Sequence, residues 1–332
     1  MTRPPATPPQ LTVPSLRYET LAAAIREVMP DRTWSQVKQI CVSGKVKLDG
    51  AVVLDPAIRL EGTETIVVQM NAPRKDRNKP AAEILFEDQH LVVINKPEDV
   101  STVPWDKKES GTALDLIREA WRVQKKAATS VPLLVVHRLD KDTSGVLVFA
   151  KSKLSERGLH TVFKQHLADR EYVAVSQGTV RRRTFTSSLI EDRGDGLRGS
   201  TRFEEQGRHS VTHVVSSHVC PLRAGLTTGA ADGRTISRCR VKLETGRTHQ
   251  IRIHFAESGH PLVGETVYVR DFRNNGCEVL PAERLLLHAE TLAFEHPITG
   301  RKLSFQAKPP ASYEALWKNL TGKDYSPDEV SL

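Results

Sequence analysis

A short polar segment between two apolar runs constrains the fold of this chain more than any other stretch. Val135 and Val136 precede the segment, residues 146–150 follow it and are all apolar, and Asp140 and Asp142 lie between them. This pattern predicts two buried strands joined by a tight connection. Strands of this kind would hold Asp140 rigidly at a strand end, which is a common mounting for a catalytic group. The residues alone leave a second interpretation open, in which the aspartate only caps the turn.

Composition and charge narrow the class of protein. The 332-residue chain has a formal net charge of +8 and a sequence pI of about 9.3, which favours a polyanionic partner such as nucleic acid. The four cysteines are scattered without a Cys-x-x-Cys pair, which argues against a disulfide framework and against a zinc site. The sequence has no apolar stretch of about 18 residues and no signal peptide, so we expect a cytoplasmic protein without membrane association.

Sequence patterns divide the chain into five parts. Residues 1–12 are rich in Pro and Thr, which predicts a disordered tail. Residues 13–72 combine two short helical patterns with an Asp-Gly hairpin signal, which predicts a small αβ domain. A charged run at 73–81 indicates a linker, residues 82–315 form the main domain, and residues 316–332 are predicted to be a C-terminal tail.

The main domain is predicted to be α+β, with a largely antiparallel mixed sheet and flanking helices and loops, because its strand patterns outnumber its helical ones. The predicted elements are helices at 114–121 and 154–167, strands at 84–86, 91–94, 170–175, 239–243, 285–289 and 303–307, and a flexible loop at 224–233. Polar and apolar residues alternate up to residues 246–254, and we expect strand spacing for His249 and His254 in this segment. We expect these two histidines and His137 to make structural hydrogen bonds and not to bind a metal.

Three groups of residues in the main domain could form one site, namely 137–140, Tyr172 and 247–252. An arginine beside a partly buried carboxylate lowers the pKa of that carboxylate by roughly 1–3 units. An aromatic ring could stack on a base, and further arginines could hold phosphates. These residue types indicate one carboxylate, several cations and one aromatic ring, with RNA as the expected ligand.

Several motifs in a fixed order carry a resemblance to a known family. "ILFEDQHLVVINKP", "HRLDKDTSGVLVFAKS", "REYVAV", "TGRTHQIRIH", "GHPLVGE" and "RLLLHA" occur in that order within residues 82–310. Together they resemble the motifs of the RluA-type pseudouridine synthases, and an ordered set is far more specific than any single motif. The resemblance implies a cofactor-free isomerisation of uridine in RNA to its C5-glycoside.

The resemblance also implies roles for single residues. Asp140 would be the essential carboxylate, which either attacks the ribose C1′ or abstracts a ribose proton to give a glycal. Tyr172 would stack beneath the flipped uracil, and Arg252 would pair with Asp140 and hold it ionised. Arg138 would fill the gap that the flipped nucleotide leaves in the RNA, and Leu287 would line the uracil pocket.

The "TGRTHQIRIH" motif supplies three further expected substrate contacts, namely Arg247, His249 and Gln250. Asp142 is expected to fix the turn through hydrogen bonds between its side chain and the backbone. The family usually has Gly-Asp before a late tyrosine, whereas this chain has Glu265. This difference leaves the role of that loop open.

Residues 43–68 follow two helical patterns and are similar to part of the small RNA-binding module first described in ribosomal protein S-four. That module lays its second helix and the following turn against structured RNA. Acids balance bases in this segment, so RNA binding would depend on clustering of the bases on one face. A packing or oligomerisation module is the alternative. The candidate RNA contacts are Arg32, Gln36, Lys38, Lys45 and Lys47.

The sequence thus predicts a pseudouridine synthase that acts as a monomer on RNA, without a metal or a cofactor. Large-subunit ribosomal RNA is the expected substrate, and transfer RNA is the alternative. A catalytically silent RNA-binding or ribosome-assembly protein of the same fold is a second hypothesis, but the presence of Asp140, Tyr172 and Arg252 argues against it. A glycoside-cleaving enzyme is the third, and Asp142 lies too near Asp140 in the chain for the two to flank a sugar bond.

Overall fold

The computed structural model describes most of the chain. It forms two compact units, residues 1–79 and 80–332, which are described separately. The described residues are 10–14, 20–49, 51–53, 56–60, 62–70, 82–104, 109–124, 131–223, 234–275, 277–280 and 282–326. The predicted linker at 73–81 and the predicted loop at 224–233 lie outside these ranges.

The first unit contains a four-stranded antiparallel sheet and two helices. Its elements are β1 (Gln10–Val13), α1 (Leu21–Val28), α2 (Trp34–Val42), β2 (Val46–Leu48), β3 (Ala51–Val53) and β4 (Ile66–Gln69). The strands lie in the order β1-β4-β2-β3. Since β1 pairs with β4 along its whole length, the prediction of a disordered tail over 1–12 is wrong for residues 10–12.

Local sequence signals explain where both helices begin. Thr20 caps α1, because its hydroxyl accepts a hydrogen bond from the Ala23 N–H at 3.2 Å. α2 begins with a capping box, in which Thr33 and Gln36 each accept a hydrogen bond from the other's backbone N–H, at 3.3 and 2.9 Å. The apolar sides of the helices share one core with the sheet.

The second unit contains eleven strands and five helices within the described ranges. The strands are β5 (Glu83–Glu87), β6 (Leu91–Lys96), β7 (Leu134–Val135), β8 (Ser144–Ala150), β9 (Asp169–Gln177), β10 (Arg183–Ile190), β11 (Gly199–Thr201), β12 (Arg208–Pro221), β13 (Thr235–Leu243), β14 (Leu287–Glu295) and β15 (Lys302–Gln306). The helices are α3 (Ala113–Val123), α4 (Lys153–Lys164), α5 (Gln250–Glu257), α6 (Arg270–Asn274) and α7 (Ala311–Thr321). In the described ranges of both units, no helix has the length and apolar character that a membrane span requires.

One sheet holds all eleven of these strands. The order is β11-β10-β12-β13-β9-β14-β8-β6-β5, with β15 paired to β14 and β7 paired to β8. The β8–β14 pairing is parallel and the other pairings are antiparallel. The predicted α+β fold with a largely antiparallel mixed sheet is therefore confirmed.

Helices cover both faces of the sheet around β8, whose residues are all buried. Leu147 and Phe149 point into one core, with α3 and α5, while Val146 and Val148 point into another, with α4. β8 is thus an apolar run because protein covers it on both sides, as its sequence indicates.

Helix α5 replaces the strand spacing that was expected for residues 246–254. The sequence from Gln250 to Phe255 alternates polar and apolar residues, which is typical of a strand with one buried face. All six of these residues are buried in the helix. A helix that meets protein on every side leaves no helical period in its sequence, and this explains the wrong prediction.

Helix α7 corrects the prediction of a C-terminal tail over residues 316–332. Tyr313 and Trp317 of this helix are fully buried, and Leu320 is nearly so. They share a core with Val173 and Val175 of β9. The chain up to Thr321 is therefore a packed part of the second unit.

The parallel pairing of β8 with β14 joins two parts of the sheet, β5 to β8 on one side and β9 to β15 on the other. Its register places Ser144 opposite His288 and Gly145 opposite Ala289. Gly145 has a φ of +120°, and a Cβ at this position would lie 2.1 Å from the Ala289 carbonyl oxygen. Glycine meets both requirements, since it tolerates positive φ and has no Cβ.

We expect Gly145→Ala to lower the free energy of unfolding by about 3 kcal/mol or more, because a methyl group would overlap the Ala289 carbonyl in a strained backbone. Gly300→Ala is the matched control. Gly300 has a φ of +69° and a Cβ there would meet nothing closer than 3.6 Å, so only a backbone cost of about 1–2 kcal/mol applies. Urea denaturation followed by circular dichroism measures both losses, and equal losses would contradict the close contact.

Candidate active site

The loop that carries Asp140 lies between β7 and β8 and is fixed on both sides of that residue. Lys96 is fully buried and donates a hydrogen bond to the Lys141 carbonyl at 3.1 Å. The Thr102 hydroxyl donates to the Leu139 carbonyl at 2.8 Å and accepts from the Leu139 N–H at 3.2 Å. Asp140 is therefore held by anchored neighbours, while 22% of its side chain stays exposed.

His249 lies beside Asp140, with its Nε2 3.9 Å from the aspartate Oδ1. Its Nδ1 shares a hydrogen bond of 2.8 Å with the Tyr268 hydroxyl, and the two rings are nearly perpendicular. Burial lowers the pKa of His249 and outweighs the negative charge of Asp140, which raises it. The imidazole is therefore neutral at neutral pH.

Arg252 forms a buried ion pair with Glu265, not with Asp140. Its Nε and Nη2 bind the two oxygens of the fully buried Glu265 carboxylate at 2.7 and 2.8 Å, and its Nη1 lies 3.4 Å from Oδ2 of Asp142. The expected pairing of Arg252 with Asp140 is therefore wrong. The prediction that Asp142 bonds to the turn backbone is wrong as well. The reason is geometric, because Glu265 offers both of its oxygens to the planar guanidinium fork.

Glu265 stabilises its loop through an ion pair with Arg252 and through hydrogen bonds to the backbone. Burial lowers the pKa of Arg252, but the hydrogen bonds with Glu265 and its negative charge raise this pKa above its usual value. Burial raises the pKa of Glu265, but the hydrogen bonds and the positive charge of Arg252 lower this pKa below its usual value. The carboxylate also accepts hydrogen bonds from the N–H groups of Val267 at 2.8 Å and Tyr268 at 3.3 Å. Glu265 thus orders the loop whose role the sequence left open.

Tyr172 and Leu287 place an aromatic ring and an apolar side chain in the core that also contains Leu139. Tyr172 lies in β9 opposite Ala289 of β14 and is 8% exposed. Burial raises the pKa of its phenol, and the charge of Asp140 adds to the rise. The ring is therefore a neutral, mostly buried surface close to the carboxylate.

Two of the arginines predicted to contact substrate lie in different settings. Arg138 precedes Asp140 by two positions and is exposed. Arg247 is half-buried, and its Nε donates to the His209 carbonyl at 3.3 Å. Their role in binding RNA stays a prediction.

Gln250 is buried and bound by protein groups, which favours a structural role, and its contact with substrate stays a prediction. Its amide oxygen accepts hydrogen bonds from the Thr245 hydroxyl at 2.7 Å and the Arg247 N–H at 3.0 Å. Its amide nitrogen donates to the Val211 carbonyl and the Thr212 hydroxyl, both at 2.9 Å. These four bonds use the whole hydrogen-bonding capacity of the amide.

The histidines at 137 and 254 also bind protein groups. Nε2 of His137 accepts a hydrogen bond from the Val148 N–H at 3.2 Å, and His254 lies between the hydroxyls of Ser187 and Thr212, each at 2.9 Å. Burial lowers the pKa of His137 to about 3 and that of His254 to about 4. Among the described residues, no group of three or more His, Cys, Asp or Glu could hold a metal ion.

The predicted RNA contacts of the first unit lie on α2 and beside it. Gln36 is engaged in the capping box, and Lys45 donates through Nζ to the Met70 carbonyl at 2.8 Å. Lys38 is exposed, whereas Arg32 and Lys47 are half-buried. RNA binding by these five residues stays a prediction.

Comparison with known proteins decides the family. Residues 90–257 match the RNA pseudouridylate synthase family. A relative from Zymomonas mobilis, named ribosomal large subunit pseudouridine synthase D, is 32% identical over 308 residues, which cover 90% of this chain and 92% of that one. A relative of the same name from Vibrio cholerae is 33% identical over 310 residues, which cover 88% of each chain. This chain belongs to the RNA pseudouridine synthases.

The predicted family and enzyme class are therefore confirmed, and RNA is the substrate class of this pseudouridine synthase. The solved structure titled human RNA pseudouridylate synthase domain containing 1 has a TM-score of 0.56 and 22% identity, and the match covers 75% of this chain and 91% of that one. At this level of identity the likeness shows a shared fold.

Sequence reasoning missed the residues that support the pseudouridine synthase site. Thr102 carries no signal that separates it from ordinary core residues. Lys96 does carry one, because a lysine at the end of the apolar run 91–94 has a buried environment. Tyr268 is the late tyrosine of the family pattern, but its contact with His249 could not be read from the sequence. The glutamate at 265 differs visibly from the aspartate of the family pattern, but the sequence does not show that Arg252 is its partner.

We expect Glu265→Gln to lower the free energy of unfolding by about 3–5 kcal/mol, because it leaves the Arg252 charge buried without a matching carboxylate. Glu278→Gln is the control, since Glu278 pairs with Arg234 at 3.2 Å and each side chain is 37% exposed. Exposed pairs of this kind contribute about 0–1 kcal/mol. Urea denaturation of both variants measures the difference. A loss below about 1 kcal/mol for Glu265→Gln would contradict the central role of this ion pair.

Proposed function

We propose that this chain converts uridine to pseudouridine in large-subunit ribosomal RNA, with Asp140 as the reactive carboxylate. The placement of Asp140 carries the proposal, since it is anchored on both sides, partly exposed and directly follows Leu139, which shares a core with the Tyr172 ring. The relatives named ribosomal large subunit pseudouridine synthase D support the choice of RNA. Action as a monomer stays a prediction.

Asp140 acts on the ribose by one of two routes. In the first, a carboxylate oxygen bonds to C1′ as the C1′–N1 bond breaks. In the second, the carboxylate takes a ribose proton as the same bond breaks, which leaves a glycal. In both routes the electron pair of the broken bond leaves with the uracil. The uracil then bonds to C1′ through C5. In the first route the bond between Asp140 and C1′ breaks in this step, and in the second route Asp140 returns the ribose proton to the glycal. C5 then loses its proton and N1 gains one.

Tyr172 stacks on the flipped uracil, for which a neutral phenol ring in an apolar setting is well suited. Leu287, which lies in the same core, forms an apolar wall of the uracil pocket. Arg138, which is exposed, occupies the gap in the RNA after the nucleotide has flipped out. Arg252 acts through Glu265 and Asp142 and is a positioning residue.

His249 is the positioning residue of Asp140 in place of Arg252. In this proposal the Tyr268 hydroxyl is the donor in its 2.8 Å hydrogen bond with Nδ1, so that the imidazole proton is on Nε2. Nε2 is the atom that faces the Asp140 carboxylate at 3.9 Å. A neutral donor at this place orients the carboxylate without the strong attraction of a full cation.

Replacing Asp140 by asparagine is expected to slow pseudouridine formation by about 10³-fold or more, because the amide is neither a nucleophile nor a base. Asp142→Asn is the matched comparison, two positions along the chain, and we expect a loss below about tenfold. The measurement is pseudouridine mapping on total RNA from a strain that lacks the gene.

The mapping has three informative outcomes. Modification of large-subunit ribosomal RNA by the wild type and not by Asp140→Asn supports the proposal. Modification confined to transfer RNA contradicts the proposed substrate. Equal modification by the Asp140→Asn variant contradicts the role of this carboxylate.

The role of His249 is tested by two amides of different reach. The His249→Gln side chain places an N–H near the position of Nε2, whereas His249→Asn places its amide near Nδ1. We expect the glutamine variant to keep kcat within about tenfold of the wild type and the asparagine variant to lose about 100-fold. Release of tritium from RNA labelled at uracil C5 measures kcat. Equal losses in two variants of equal thermal stability would refute the positioning role.

A further inference from the structure

A small cavity lies beside the start of α5, on the side of residues 246–248. Its volume is about 200 Å³, and its lining combines arginine side chains with the backbone ahead of the helix. The lining residues used below are Arg198, Arg208, Arg247, Thr248 and Glu191. The mechanism above does not use this cavity.

The charges around the cavity do not balance. Glu191 pairs with Arg198 at 3.2 Å, which neutralises one of the three arginines. Arg208 and Arg247 have no carboxylate within ion-pair distance among the residues that the structure describes. The contact of Arg247 with the His209 carbonyl uses its Nε and leaves the two outer nitrogens of the guanidinium group for a ligand.

Arg208 and Arg247 are also close enough to repel each other. Burial lowers the pKa of Arg247, and the positive charge of Arg208 lowers it further. Two guanidinium groups that face one space without an acid between them are stabilised when an anion enters that space. Phosphate fits this chemistry, because a guanidinium fork binds two of its oxygens at once.

The cavity lies next in the chain to the residues around Asp140. Arg247 precedes His249 by two residues, and His249 lies 3.9 Å from Asp140. Thr248 lines the cavity and links the two residues along the chain. The lining residues Arg247 and Thr248 are therefore followed directly in the chain by the side chain that lies beside Asp140.

We propose that Arg208 and Arg247 bind a backbone phosphate of the RNA strand next to the target uridine. The inference rests on the proposed function for the position of the RNA, but binding can be measured without catalysis. Arg208 lies outside the family motifs found in the sequence. For Arg247, which lies in one of them, the proposal specifies that the bound group is a phosphate.

Salt dependence of RNA binding tests the proposal. The probe is a fluorescein-labelled single-stranded RNA of twenty nucleotides, titrated with the full chain at several KCl concentrations. Each phosphate contact in single-stranded RNA contributes about 0.7 to the slope of log K against log salt. We expect Arg208→Ala and Arg247→Ala each to reduce the slope by up to that amount and to weaken binding by about tenfold. Arg208→Lys should retain the slope, because it keeps the charge.

Arg301→Ala is the matched control, since it removes an exposed arginine that does not line the cavity. An unchanged slope in both cavity variants would overturn the proposal, and so would an equal fall in the slope for Arg301→Ala. In tritium-release assays on RNA, we expect a raised KM with an unchanged kcat. A fall in kcat at unchanged KM in the two cavity variants would also overturn the proposal. If the wild type makes no pseudouridine while the slopes change as expected, the proposed function fails and the phosphate site stands.

Discussion

The buried ammonium group of Lys96 is the interaction on which the arrangement of the site depends. Removing an ammonium group from water costs several kcal/mol unless it is hydrogen-bonded. Lys96 donates to the carbonyls of Val100 and Lys141, at 2.7 and 3.1 Å, and thereby joins the segment after β6 to the loop before β8. Thr102 binds the other side of that loop. Asp140 therefore lies on a backbone segment that is fixed by buried hydrogen bonds, while its side chain stays partly exposed.

The second constraint is the separation of charges around the carboxylate. Glu265 neutralises Arg252, and the side chain nearest to ion-pair distance from Asp140 is the neutral imidazole of His249. A carboxylate held in a close pair with a full cation is a weaker base and a weaker nucleophile. The buried pair thus keeps a strong positive charge in the neighbourhood, where it stabilises the folded loop, without quenching the group proposed to react. Tyr172 adds a neutral face beside it.

Much of this could be predicted from the sequence, and the failures share a physical cause. The apolar run of β8 and the polar loop before it are local patterns, so the sheet and the place of Asp140 follow from them. The α5 helix was misjudged because burial on all sides removes the helical period from residues 250–255. The partner of Arg252 was misjudged because a motif gives the order of residues and not the direction of a side chain. The bonds of Gln250 to Val211 and Thr212 could not be predicted, because these partners are distant in sequence.

The parallel seam between β8 and β14 has a consequence for the geometry of the reaction. Asp140 belongs to the strands on one side of this seam, whereas Tyr172 lies on the other side, in β9. Across the seam, Ser144 pairs with His288 and Gly145 pairs with Ala289. The distance between acid and ring is therefore set by how two halves of a sheet abut at two residue pairs. A substitution at this joint would alter the alignment of Asp140 and Tyr172 while touching neither of them.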